Sequence, residues 1–122
     1  MVTATADEAS SPKTEPEKQN MKRANYENET RDLIARLRDA GFAPLTVDNG
    51  ESVTKWDEEN QTAFADEAMA CDESVIRCTD PNGRKVALYL VYGNGPGELV
   101  CDHTDTPELS SIVSAFYDAH NA

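Results

Sequence analysis

The sequence predicts a single α+β domain: an antiparallel meander of three or four strands packed with about three helices, behind a disordered N-terminal tail. Three observations predict it. The chain has 122 residues, room for one domain. Residues 1–24 are rich in Ala, Ser, Thr, Pro, Glu and Lys and offer almost nothing to bury. Beyond them, helical and strand-like periodicities alternate, and the strand-like runs are joined by turns too short for anything but antiparallel neighbours.

The tail, residues 1–24, has neither a basic start nor an apolar middle, so it does not read as a secretory signal. The domain is expected over 25–122. Its first helix is "NETRDLIARLRDAGF", with Asn28 as cap, Leu33, Ile34 and Leu37 as the apolar stripe, and Gly41 as the stop. "APLTVDNGESV" reads as extended chain entering an Asn49-Gly50 turn. Whether Ser52 to Trp56 returns as a pairing strand is open at this level. "DEENQTAFADEAMACDES" is the next helix, with Phe64, Ala68 and Cys71 at i, i+4 and i+7.

Three strands follow. "SVIRCT" is short and β-branched. The turn Asp80–Gly83 has proline second and glycine fourth, and leads to "RKVALYLVYG", the most apolar segment and the expected central strand. "ELVCDH" is the third. The last helix has Thr106 as cap and Pro107 at the first helical position, with Leu109, Ile112, Val113, Phe116 and Tyr117 along one face.

Charge excludes several functions. Residues 1–26 hold four acids and four bases, so the net charge of −12 belongs to the rest of the chain. A folded body this acidic repels nucleic acid and anionic lipid. The longest apolar run, Val86 to Tyr92, is seven residues, far short of the ~20 needed to cross a bilayer. A cytoplasmic location and reduced thiols at Cys71, Cys78 and Cys101 are the expectation.

"GNGPG" at residues 93–97 suggests a phosphate cradle, but the pattern is G-x-G-x-G, Pro96 removes an amide donor, and a strand follows where a helix N-terminus is needed. It reads as a hairpin connection. Strand alternation would place Cys101 and His103 on one face, and a thiol and imidazole side by side are the elements of nucleophilic catalysis. Their setting, an apolar run and a strand end, suits instead a small buried cysteine beside an exposed histidine. Cysteine spacings of seven and twenty-three lack the close pairs of structural zinc sites, although Cys78, Cys101 and His103 are the set from which one would be built. Asp48 to Glu59 fails as a calcium loop, with Val53 where a glycine is required. His120, in the last helical turn, suits the helix dipole. No cofactor or metal is expected.

The remaining signal is acidic. Asp57, Glu58, Glu59, Asp66, Glu67, Asp72 and Glu73 fall in one stretch without a base, and Trp56 opens it. A tryptophan at the rim of a carboxylate surface suits an interface with a basic protein surface, of which nucleic-acid mimicry is one form. Solubility, or adaptation to high salt, produces the same composition, and Trp56 then simply closes the core. The function expected is a small non-enzymatic interaction protein. The alternative is a small enzyme or metal protein built on Cys101 and His103.

The stretch "TVDNGES", continued by "CDESVIRCTDPNGRKVALYLVYGNGPGELVCD", resembles small uncharacterised acidic proteins encoded on phages and plasmids, over about residues 30–118. The resemblance implies a regulator or inhibitor of host machinery rather than a metabolic enzyme, and assigns no site residue.

Overall fold

In the computed structural model, which describes residues 26–93 and 95–121, the first helix already runs through Asn28. Asn28 is therefore not its cap. The expected disordered tail, residues 1–24, lies outside the described residues. Within α1 (residues 26–39), ion pairs at i, i+4 join Glu27 to Arg31 at 2.8 Å and Asp32 to Arg36 at 2.7 Å, each with the acid on the N-terminal side, the better orientation. Leu33, Ile34 and Leu37 are buried. The helix stops as expected at Gly41: the Phe42 amide donates to the Leu37 carbonyl at 2.9 Å and the Gly41 amide to Arg38 at 3.0 Å, the paired bonds of a Schellman cap.

The remaining elements are β1 (Ala43–Asp48), β2 (Val53–Lys55), α2 (Gln61–Met69), β3 (Glu73–Thr79), β4 (Lys85–Val91), β5 (Val100–His103) and α3 (Pro107–Asn121). The sheet has five strands in the order β2-β1-β3-β4-β5, antiparallel throughout, so the expected meander is extended by a hairpin. Val53–Lys55 does return as a strand. The Asn49 side chain holds that hairpin: its Oδ1 accepts from the Glu51 and Ser52 amides at 2.9 Å, while its Nδ2 donates to the Glu67 carbonyl at 3.1 Å. A buried asparagine is thus satisfied at both ends, which ties the β1–β2 turn to α2.

Because β2 and β3 both run antiparallel to β1, they are parallel to each other, and α2 makes the crossover between them. This places β3 at the centre of the sheet. β4, the expected central strand, lies one place from the edge. α2 begins at its Asn60 cap and ends at Met69, leaving Cys71 beyond the helix. Asp80 organises the β3–β4 turn by accepting from the Asn82 and Arg84 amides at 2.9 and 2.8 Å. Thr106 caps α3 through the Leu109 amide at 3.1 Å. Of the expected α3 face, Leu109 and Phe116 are fully buried and Ile112 and Val113 partly so, but Tyr117 is 40% exposed.

All three helices contribute to one core, with Ile76, Cys78, Val86, Leu88 and Leu90 from the sheet. The helices therefore cover one sheet face and leave the other to solvent, as antiparallel sheets allow. No described helix is long and apolar enough to cross a membrane.

Candidate functional site

Trp56 follows β2 and turns inward. Its ring meets Phe64 edge-on at 5.1 Å, the Arg38 guanidinium lies 5.0 Å above it, and its Nε1 donates to Glu58 at 2.7 Å. Glu58 also takes both bonds of Arg38, at 2.8 and 3.0 Å. Trp56 is thus half-buried against the core, with its polar edge already bonded within the chain.

The seven acids that follow divide by what they do. Asp57 accepts from the Glu59 amide at 2.9 Å and shapes the turn before α2. Glu67 accepts from Asn49 at 3.2 Å and Ser52 at 2.9 Å, as part of the hairpin tie. Among the described residues, only Glu58 of the seven is in an ion pair. Asp57 and Glu59 are exposed in the turn before α2, and Asp66 is exposed on the helix itself, which is roughly 13 Å long for its nine residues. Past its end, Glu51, Glu67 and Asp72 surround Cys71: desolvation and then these carboxylates push the thiol up. Glu73 departs from the group, because it opens β3 on the uncovered sheet face. The acids are therefore not gathered on one surface.

That uncovered face holds a second concentration of carboxylates. A groove of about 610 Å³ is lined by Asp48, Glu73 and Asp102 together with Val75, Tyr89 and Val91. Strand register creates it. Val53, Asp48, Val75, Tyr89 and Asp102 stand side by side across all five strands. Asp48 and Asp102 are remote in sequence, so reading segment by segment misses the row. The signal that could have found part of it is alternation, which puts Glu73 with Val75 and Tyr89 with Val91 once β3 and β4 are given their bounds.

The expectation that Cys101 and His103 share a face is overturned. Tyr89 pairs with Asp102 but Leu90 pairs with Val100, so Cys101 is the extra residue of a β-bulge. The bulge brings Cys101 beside Asp102 on the groove, whereas His103 pairs with Leu88 on the helix side and places its Nδ1 2.9 Å from the Thr104 carbonyl. Cys78 is buried in the core, where desolvation pushes its thiol up to about 12. The three residues do not converge, and no cluster of three metal-ligating side chains occurs among the described residues. All three cysteines are free.

The glycine-rich connection is more than a hairpin link. The Gly97 amide donates to Glu29 Oε1 at 3.2 Å, and both residues are buried. The chain's own carboxylate takes the donor that an anion would need. Nearby, Tyr92 and Thr30 share a hydrogen bond of 2.9 Å, and burial raises the Tyr92 phenol to about 12. His120, expected only to suit its helix dipole, sits with Nε2 2.7 Å from Asp32, which also accepts from Arg36 at 2.7 Å. Burial would raise the Asp32 carboxyl, but the bonds from Arg36 and His120 prevail and lower it. Nothing in the isolated sequence pairs positions so far apart.

Fold and surface together define an acidic α+β protein with one bare sheet face. Compared with family models, curated proteins and solved structures, the chain finds no match.

Proposed function

We propose that the chain is a small non-enzymatic interaction protein, of regulator or inhibitor type, that presents the acidic side of α2 to a basic protein surface. The observation that carries this reading is the lack of ion-pair partners for four of these acids among the described residues. Asp57, Glu59, Asp66 and Asp72 are exposed and form no ion pair among the described residues, although five of the seven bases in the folded body do pair. Unneutralised carboxylates on α2 and on the turns at its two ends raise encounter rates with a cationic partner and select against anionic ones. Trp56 supports this surface from beneath rather than serving as its anchor. The reading agrees with the resemblance to small acidic proteins of phages and plasmids. The alternative built on Cys101 and His103 gains nothing from the geometry, since the bulge separates them.

The test is an NMR titration of the ¹⁵N-labelled full chain with an arginine- and lysine-rich peptide, at low and high salt. Amide shifts should concentrate on residues 57–72 and fade as salt screens the charges, with a Debye length of ~8 Å at physiological strength. A D57N/E59Q/D66N/D72N variant should lose them. Shifts that spread evenly over the molecule, or that survive in the variant, would reject the α2 surface.

A further inference from the structure

The uncovered sheet face differs from the rest of this acidic body. Its outward side chains lie in four rows across the strands. The first row holds Glu73 and Val91; the second holds Val53, Asp48, Val75, Tyr89 and Asp102. The third holds Lys55, Thr46, Arg77 and Ala87, and the fourth Ala43, Thr79 and Lys85. The first two rows thus carry three acids and no base, and the last two carry three bases and no acid. In a chain of net charge −12, this face is neutral and its charges are sorted along the strand direction. Val75, Ala87 and Tyr89 occupy its middle, with Tyr89 46% exposed, and Val53, 60% exposed, stands at the β2 edge.

We propose that this face is a self-association surface: a second copy of the chain docks on it face to face, with the strands of the two copies reversed, so that the acidic rows of each lie over the basic rows of the other. A two-fold axis running along the rows, between the second and third, produces this arrangement and makes the contact isologous. The same operation moves Tyr89, the bulkiest side chain of the face, toward the second copy's Ala87, one of the smallest. Glu73 comes to the end occupied by Lys85.

Charge selects this occupant over others. A purely basic partner would meet Lys55, Arg77 and Lys85, and a nucleic acid would meet Asp48, Glu73 and Asp102. Contact between two copies through α2 would set acid against acid. The proposal is independent of the α2 surface, which lies on the opposite side of the sheet.

The footprint sets the strength. Five strands at ~4.8 Å and seven residues at ~3.4 Å give a patch of about 20 by 24 Å. That is smaller than the ~800 Å² per partner of a standard interface, so association should be weak and transient.

Sedimentation velocity of the full chain, from about 5 to 500 µM at ~0.15 M salt, should show the mean mass rising from 13.4 kDa toward twice that value. Glu73→Lys and Lys85→Glu should each weaken association about tenfold, and the double variant E73K/K85E should restore it, as expected for a coupled pair. Both side chains face solvent, so each variant should fold, which circular dichroism would check before sedimentation. A non-specific charge effect gives a different pattern, because Glu73→Lys alone makes the chain less acidic and should then strengthen association. A mass of 13.4 kDa at every concentration would overturn the proposal, as would a double variant no better than either single.

Discussion

Replacing Gly97 by alanine perturbs the point where the glycine-rich connection rests on the end of α3. Gly97 has φ +76°, a left-handed conformation that costs a residue with a side chain about 1–2 kcal/mol. A methyl group there would stand 2.9 Å from the Tyr117 carbonyl oxygen and 3.3 Å from the Asn121 amide nitrogen. Both are backbone atoms, so the conflict is relieved only by moving the last turn of α3 or the connection. The connection is held in turn by the bond from Gly97 to the buried Glu29. Overpacking of this kind costs about 1–3 kcal/mol, so the total should be about 2–5 kcal/mol. Gly50 is the internal control. Its φ is +89°, also left-handed, but an added methyl meets nothing within 4 Å. Gly50→Ala should cost only the conformational part, about 1–2 kcal/mol. Urea unfolding followed by fluorescence separates the two, and in thermal melts each kcal/mol corresponds to about 4–8 °C for a domain of this size. If the two variants agree to within about 0.5 kcal/mol, close packing of the connection on α3 is not what requires glycine at 97.

Two further outcomes are expected. Among the described residues, the Ser74 hydroxyl is buried without a hydrogen-bond partner, so Ser74→Ala should stabilise the protein by about 1 kcal/mol, read as a higher urea midpoint at unchanged slope; a loss of stability would reveal a bond at that hydroxyl. The Asp80 carboxyl is lowered chiefly by the Arg84 amide, and that of Asp32 is lowered by Arg36 and His120 against the opposing effect of burial. Each therefore contributes stability above the ordinary value of 3.8 and gives it up as pH falls through its lower folded value. Asp80→Asn keeps an acceptor oxygen but not the charge, so its urea midpoint should fall less steeply than the parent's below pH ~4, and parallel acid limbs would contradict this assignment.

Local chemistry made much of the fold legible. Thr106 and Pro107 start α3, the Asp80–Gly83 turn forces β3 and β4 together, and Gly41 stops α1, because each signal acts through bonds among a handful of neighbouring residues. Alternation along a strand tells which of its side chains share a face. It did not tell which strands are neighbours, so Val53–Lys55 stayed undecided and β4 was expected at the centre. The candidate surfaces were less legible still. The stretch Asp57 to Glu73 is a cluster in sequence but divides in space, since α2 ends and β3 begins within it and Glu73 is carried to the opposite side of the sheet.

The sequence by itself determined the acidity of the body, the Thr106 cap, the Gly41 stop and the turns, and the apolar faces that demand a core. Only the tertiary structure decided what stands next to what. The row from Val53 to Asp102, the bulge that parts Cys101 from His103, the Glu29–Gly97 bond and the Asp32–His120 contact all join residues distant along the chain. Their partners are chosen by strand register and helix packing, which depend on the free energy of the whole core and are written in no single segment.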